Sequence, residues 1–152
     1  MLKYLIPLMI LLAVITLPMP GRGPRSKRRD VWRGYKWAAR DAVMSRANHR
    51  CEAAGFIVWG RCPDAAVEVD HVYPWSRGGP TTASNGQALC RRHNRAKAAG
   101  NPPWWYVAGL ERRRRAYFAE GVDVRVFARY SAAEREARER WLAAQGQRGR
   151  RR

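Results

Sequence analysis

The sequence predicts a small α+β fold that is stabilised by a bound metal ion and flanked by helices. Three observations lead to this prediction. A strand, a loop and a helix are indicated in that order between residues 67 and 98, helical patterns lie on both sides, and three cysteines and a histidine have the spacing of metal ligands. A chain of 152 residues has room for one such domain with extensions.

The central segment contains the predicted strand. Residues 67–72 alternate apolar and polar side chains with β-branched residues, which predicts a strand that ends at Pro74. The following Arg-Gly-Gly-Pro run at 77–80 predicts a turn. Ser84 is expected to begin a helix that continues to about Ala98 and is stopped by the Gly-Asn-Pro-Pro run at 100–103.

Helices are also predicted on either side of this segment. Apolar and aromatic residues recur at helical spacings from Asp30, a candidate N-cap, to about Ala47. The capping-box pattern at residues 131–134 predicts a charged helix to about Gln145, with Trp141 and Leu142 packed against the domain. The aromatic residues 104–106 are expected to cover the core, and stacking on nucleic-acid bases is the alternative.

The chain has three cysteines, Cys51, Cys62 and Cys90, and an odd number argues against a disulfide framework. Cys90 and His93 have the short spacing that lets two ligands face one ion, and the other two cysteines would complete a tetrahedral Cys3His zinc site. Ten residues separate Cys51 from Cys62, which is long for such a site. His49 is an alternative ligand, and burial of the cysteines as small hydrophobic residues is the alternative without a metal.

The charge of the chain predicts a polyanionic partner. The chain has 30 Lys and Arg against 12 Asp and Glu, a net charge of +18 and a pI near 11.3. Nucleic acid is the first expectation and anionic lipid the alternative. Three basic runs are expected to be solvated arms that contact phosphates without reading sequence. They are Arg22, Arg25, Lys27, Arg28 and Arg29; Arg112 to Arg115; and Arg148, Arg150, Arg151 and Arg152.

The first 20 residues resemble a signal or anchor segment. Residues 4–17 are almost wholly apolar, a length between those of a signal peptide and a spanning helix. If the segment inserts into a membrane, the basic run at 22–29 outweighs Lys3 and keeps the following domain in the cytoplasm. The alternative is an internal start codon, for example at Met19, in which case the segment is not made.

A set of spaced residues carries a resemblance to a known family. Asp70-His71, Pro74 and Gly78-Gly79 are followed by Asn85, Leu89-Cys90, His93-Asn94 and Lys97. This order resembles the signature of the HNH endonucleases, of the free-standing phage or bacterial type, and the resemblance covers roughly residues 46–97. It implies a ββα-metal core, zinc-stabilised, in which two strands carry the first histidine and a helix carries the third motif residue.

The resemblance also implies roles for the motif residues. His71 would be the general base that deprotonates water, and Asp70 and Asn94 would hold a catalytic Mg²⁺ or Mn²⁺. Asn85 would hold the loop after His71 through backbone hydrogen bonds. Two positions depart from the usual pattern: Asn94 replaces the frequent histidine, and His93 replaces a zinc-binding cysteine. An amide oxygen is a hard ligand, which favours Mg²⁺ over softer metals.

These observations predict an endonuclease that acts on DNA. Four cations near the motif, Arg77, Arg92, Arg95 and Lys97, are candidate phosphate contacts. The predicted organisation is a leader (1–20), a basic linker (21–30), the nuclease domain (31–107), a charged and mainly helical extension (108–147) and a basic tail (148–152). The alternatives are a catalytically inactive, zinc-stabilised DNA-binding protein and a membrane-anchored basic protein. The complete motif argues against both, because neither requires it.

Overall fold

The computed structural model describes the backbone of residues 2–56, 59–97 and 99–150. The helices are α1 (Leu2–Thr16), α2 (Trp37–Arg46), α3 (Arg91–Ala96), α4 (Trp104–Arg114) and α5 (Ala132–Arg150). The strands are β1 (Ala54–Phe56), β2 (Trp59–Arg61), β3 (Glu68–His71) and β4 (Gly86–Leu89). The fold is therefore α+β, as the sequence predicts.

Strands β3 and β4 form an antiparallel pair in which His71 lies opposite Gly86 and Glu68 lies opposite Leu89. The predicted strand is confirmed at β3. The helix predicted from Ser84 to Ala98 is wrong: residues 83–85 form a short 3-10 turn, residues 86–89 form β4, and α3 has only six residues. All four residues of β4 are buried and paired with β3, so sheet formation overrides the local helical pattern.

Strands β1 and β2 form a second, shorter antiparallel pair. It lies between Cys51 and Cys62 in the chain. The backbone N–H of Cys62 donates to the carbonyl of Ala53, and that of Cys51 donates to the carbonyl of Asp64. This pairing brings the two cysteines together despite their long spacing.

Within the part of the chain that the structure describes, three groups of buried side chains form the core around β3 and β4. The first joins Tyr35 and helix α2 to β4 (Tyr35, Val43, Met44, Ala47, Ala66 and Ala88). The second covers the loop after His71 with α4 and residues 126–128 (Val72, Tyr73, Val107, Leu110, Val126 and Ala128). The third surrounds the cysteines (Cys51, Ala53, Cys62, Leu89 and Cys90). The segments before and after the central domain therefore pack against its two faces.

The first predicted helix begins later than its pattern indicates. Helix α2 starts at Trp37, and Asp30 is not its cap. Asp30 is instead buried and forms an ion pair with Arg138 at 2.8 Å. Its partner Arg138 lies more than a hundred residues away in the chain, so the local sequence pattern does not reveal the ion pair.

The predicted capping box of the last helix is confirmed. The Ser131 hydroxyl accepts from the Glu134 backbone, and the Glu134 carboxylate accepts from the Ser131 backbone. The packing prediction for this helix is wrong, because Trp141 is 39% exposed and Leu142 is 45% exposed. Arg138, which is 7% exposed, is the residue that holds α5 to the domain.

Helix α1 is exposed from Tyr4 to Thr16, and its end lies beside the start of α4. The indole N–H groups of Trp104 and Trp105 donate to the carbonyls of Val14 and Ile15, both at 3.0 Å. These two tryptophans are 41% and 43% exposed, so of residues 104–106 only Tyr106 packs on the core as predicted. Among the residues that the structure describes, no helix has the length and apolarity needed to cross a membrane.

Candidate active site and metal centre

The predicted zinc ligands lie together. One ligand atom from each of Cys51, Cys62, Cys90 and His93 falls within 4.8 Å of all the others. The His93 Nδ1 atom is 3.2 Å from the Cys90 sulfur and 3.5 Å from the Cys51 sulfur. Neighbouring ligand atoms of tetrahedral zinc lie about 3.5–3.8 Å apart, given bonds of about 2.0 Å to nitrogen and 2.3 Å to sulfur. The cluster therefore fits a structural metal ion such as zinc.

The chemistry of the cysteines also fits a cation. All three are free and buried. Burial raises the pKa of the Cys51 thiol to about 12, so a metal-free cluster would keep this proton. A bound cation would reverse this balance, because thiolates are the ligating form. His93 completes the cluster from helix α3, and His49 is not part of it.

His71 lies at the end of β3 and is 6% exposed. Its Nε2 atom is 2.9 Å from the Thr81 hydroxyl, and its ring lies 4.8 Å from the Tyr35 ring. Its Nδ1 atom is on the side of Asp70, 3.9 Å from a carboxylate oxygen. The imidazole is therefore enclosed on one side and faces a partly exposed carboxylate on the other.

Asp70 is paired with a lysine from the motif. The Lys97 ammonium lies 2.9 Å from one Asp70 carboxylate oxygen and also donates to the His71 carbonyl. Burial opposes ionisation of Asp70, but the charge and hydrogen bond of Lys97, together with the His71 backbone N–H, lower its pKa to about 2. The Asp70 carboxylate is therefore ionised, and the Lys97 ammonium is its counterion. Lys97 is only 12% exposed, and the phosphate contact predicted for it stays a prediction.

Asn85 is fully buried beneath the loop that follows His71. Its side-chain oxygen accepts from the Tyr73 backbone N–H at 2.9 Å. Its amide nitrogen donates to the carbonyls of Tyr73 and Pro80 at 3.0 and 2.9 Å. One side chain therefore joins both ends of the loop that contains Gly78 and Gly79.

Those two glycines are required by the close packing of the loop. Gly78 has a φ of +89°, and a side chain there would lie 2.0 Å from the Ser26 carbonyl oxygen. A side chain at Gly79 would lie 1.8 Å from the Tyr73 carbonyl oxygen. The predicted turn is confirmed, and the basic segment before the domain packs directly against it.

Asn94 projects from α3 toward β3, where it meets a residue that the sequence analysis did not select. Its amide nitrogen donates a short hydrogen bond to the Glu68 carboxylate. Glu68 precedes Asp70 by two residues, and side chains two apart share a face of a strand. That alternation in residues 67–72 was the signal that could have identified Glu68.

The other predicted phosphate contacts lie on the surface. Arg77, Arg92 and Arg95 are all exposed. Arg77 donates to the Ala99 carbonyl at 3.2 Å, and Arg92 lies 3.4 Å from Asp64. Their charges lie on the surface near the HNH-like motif.

The second basic run is not the solvated arm that its composition predicts. Arg114 is fully buried and pairs with the fully buried Glu52 at 2.9 Å, while Arg112 and Arg115 are exposed. In the first run, Arg22 pairs with Glu111 at 3.4 Å, whereas Arg25 and the following basic residues up to 29 are exposed. The third run lies outside the residues whose side chains the structure describes. An arginine of these runs is therefore buried or partly buried where a carboxylate from a distant part of the chain pairs with it.

These features define a class of protein: a small domain in which an Asp-His pair on an antiparallel strand pair is followed by a short helix, with a Cys3His cluster formed by residues before and after the pair. Residues 49–100 match the model of the HNH endonuclease family, so the chain contains an HNH domain. No curated protein and no solved structure matches the chain significantly. An HNH domain indicates nuclease activity on nucleic acid.

Proposed function

We propose that this chain is a metal-dependent endonuclease that hydrolyses DNA phosphodiester bonds. His71 acts as the general base, and Asp70 and Asn94 hold one divalent cation, Mg²⁺ or Mn²⁺. The observation that carries the proposal is the juxtaposition of a buried, hydrogen-bonded His71 with an ionised Asp70 on an HNH hairpin.

The surroundings of His71 suit a general base. A catalytic base must be aimed at its water before the reaction, and its orientation must not depend on the substrate. The Thr81 hydroxyl and the Tyr35 ring contact the imidazole, and Asn85 holds the loop that starts beside it. These contacts restrict the ring to one orientation while its Asp70 side remains partly open.

The donors around Asp70 suit a hard divalent cation. The carboxylates of Asp70 and Glu68 and the amide of Asn94 offer oxygen atoms, which Mg²⁺ and Mn²⁺ prefer. The Lys97 ammonium pairs with one Asp70 carboxylate oxygen at 2.9 Å, and the other oxygen lies on the His71 side. When bound, the cation would offset negative charge on the scissile phosphate and on the leaving 3′ oxygen.

The surface charge supports DNA as the substrate. The net charge is +18, and the exposed arginines Arg77, Arg92 and Arg95 belong to the domain that carries His71. Exposed Arg25, Lys27, Arg28 and Arg29 lie in the segment that packs against Gly78. Cations in these places would bind phosphates of the DNA backbone, with an affinity that falls as salt increases.

The test is cleavage of supercoiled plasmid DNA by the full chain with Mg²⁺, with Mn²⁺ or with neither. We expect nicked or linear product only with a divalent cation. His71→Ala should reduce cleavage by at least about 100-fold, the usual order for a lost general base, and leave DNA binding nearly intact. His49→Asn is the matched control, because His49 is exposed and asparagine tolerates its positive φ of 51°.

Two outcomes contradict the proposal. Cleavage by His71→Ala at the wild-type rate would remove the assigned mechanism. A wild-type protein that binds DNA in a salt-dependent way and cuts with neither metal would instead be the zinc-stabilised DNA-binding protein.

A further inference from the structure

Thr81 contacts the candidate base through its hydroxyl group. The hydroxyl lies 2.9 Å from His71 Nε2 and donates a short hydrogen bond to the Trp32 carbonyl. A hydroxyl has one hydrogen, and a carbonyl oxygen can only accept. Because that hydrogen is directed to Trp32, the Thr81 oxygen must accept from His71, and the His71 Nε2 atom must carry the proton.

We propose that Thr81 is a positioning residue that keeps His71 in the Nε2–H tautomer and leaves Nδ1 as the basic nitrogen. The inference rests on the proposed function, in which His71 removes a proton from water. The removal of the water proton is thereby assigned to one nitrogen atom of the His71 ring. Nδ1 receives the water proton, and the proton on Nε2 stays in its hydrogen bond to Thr81.

The burial of the two sides of the ring agrees with this assignment. Thr81 is 4% exposed, so water has little access to Nε2. The Asp70 carboxylate, which is the proposed metal ligand, lies 3.9 Å from Nδ1, and its side chain is 37% exposed. Only the Nδ1 side of the imidazole can therefore meet a water molecule and a phosphate.

Thr81 is itself held at every polar group that it has. Its backbone N–H donates to Asp30 at 2.8 Å, and its carbonyl accepts from Arg138 at 2.8 Å. Together with the hydroxyl contacts to Trp32 and His71, these bonds leave the residue little freedom to turn. A threonine held in this way can select one tautomer, because another orientation would break several buried hydrogen bonds at once.

The residues that hold Thr81 lie outside residues 49–100, the part that matches the family. Arg138 makes a two-pronged ion pair with Asp30, at 2.9 and 2.8 Å, and its guanidinium lies over the rings of Trp32 and Tyr130 at 4.4 Å each. Planar two-pronged pairing fixes geometry as well as charge. The linker before the domain and helix α5 after it therefore complete the active site.

The direct test is ¹⁵N NMR of the His71 imidazole in the full zinc-bound chain without Mg²⁺. A pH of about 8.5 keeps unperturbed imidazole neutral, so that the nitrogen shifts report the tautomer. The spectrum of His71→Gln assigns the signal. We expect wild type to show Nε2–H alone. Thr81→Val, which keeps the shape and removes the acceptor, should show exchange between tautomers, whereas Thr81→Ser should resemble wild type.

The same variants are compared in plasmid cleavage. We expect Thr81→Val to lower kcat by about 10- to 100-fold, the usual range for a lost residue behind a catalytic group, with KM little changed. Thr81→Ser should restore the rate to within about threefold of wild type. A folded Thr81→Val protein with wild-type tautomer and rate overturns the proposal.

A second variant, which leaves Thr81 unchanged, tests the same inference in case Thr81→Val does not fold. Asp30→Asn combined with Arg138→Gln keeps a neutral, hydrogen-bonding pair and removes the rigid charged one. It should broaden the His71 nitrogen signals and lower kcat, and unchanged signals and rate would contradict the role of the Asp30–Arg138 pair. If wild type does not cut DNA, the proposed function fails, and the nitrogen shifts still decide the tautomer separately.

Discussion

Glu52 and Arg114 form a fully buried ion pair that joins the HNH domain to helix α4. The guanidinium donates to the Glu52 carboxylate at 2.9 Å and to the Gly86 carbonyl at 2.7 Å. The same carboxylate accepts from the Ala88 backbone and the Tyr117 hydroxyl, both at 2.8 Å. The pair therefore connects strand β4 to the segment after the domain, and loss of one partner would leave an uncompensated buried charge.

Glu52→Gln should destabilise the protein by about 3 kcal/mol or more at neutral pH, because Arg114 would remain buried without a counterion. Burial raises the pKa of Glu52, but the Arg114 charge and hydrogen bonds lower it more, so the net shift is downward. The contribution of Glu52 is therefore present above the unfolded pKa of about 4.3 and is lost as the pH falls through the lower folded value.

Urea unfolding of wild type and Glu52→Gln between pH 3 and pH 7 measures this difference. It should be constant down to about pH 5 and shrink below about pH 4. Adding Arg114→Met should recover part of the lost stability, because no charge then remains buried. A difference that grows toward acid pH would contradict the direction of the shift.

Asn85→Ala should destabilise the loop after His71. It leaves the Tyr73 N–H and the Tyr73 and Pro80 carbonyls without partners, at about 1–3 kcal/mol for each unsatisfied buried group. Relaxation of the loop would reduce the total, so we expect at least about 2 kcal/mol by thermal or urea unfolding. Asn85→Asp keeps the acceptor for the Tyr73 N–H but places a buried carboxylate against two carbonyl oxygens, so it should not recover the stability lost in Asn85→Ala at neutral pH.

Removal of the structural metal should unfold the domain. The three cysteines of the cluster belong to one small core group, His93 completes the ligand set, and metal binding can contribute about 10–16 kcal/mol to folding. Circular dichroism with a strong chelator should show loss of the thermal transition, and added Zn²⁺ should restore it. Metal analysis should give one zinc per chain, and Cys90→Ser should lower that content. An unchanged melting curve in zinc-free protein would contradict the assignment.

Glu68→Gln should weaken the proposed catalytic metal site. A carboxylate oxygen only accepts, so Glu68 turns the Asn94 amide nitrogen toward itself and frees the amide oxygen for a cation. Glutamine can donate as well as accept, so both orientations of Asn94 become possible. We expect weaker Mn²⁺ binding by about 10- to 100-fold in electron paramagnetic resonance titrations.

The matched control is Glu139→Gln, which removes one exposed charge far along α5. It should bind Mn²⁺ like wild type. Equal Mn²⁺ affinity in Glu68→Gln and Glu139→Gln would show that Glu68 does not orient Asn94.

Much of the candidate site could be predicted because its chemistry follows short spacings. Cys90 and His93 are three residues apart, and Asp70 directly precedes His71, so local structure alone places them together. The Asn85 position lies within the same short segment. The helix predicted from Ser84 was wrong because the apolar pattern of β4 suits a fully buried strand as well as a helix.

The sequence by itself determined the HNH motif and the Cys3His ligand set, because both depend on residue type and spacing within residues 49–100. Only the tertiary structure decided which charges are buried, since ion pairs such as Glu52–Arg114 and Asp30–Arg138 join segments 62 and 108 residues apart. The candidate base was evident from the Asp70-His71 pair. The atoms that hold it were not, because Thr81 is fixed by the linker and by α5, which no local pattern relates to the motif.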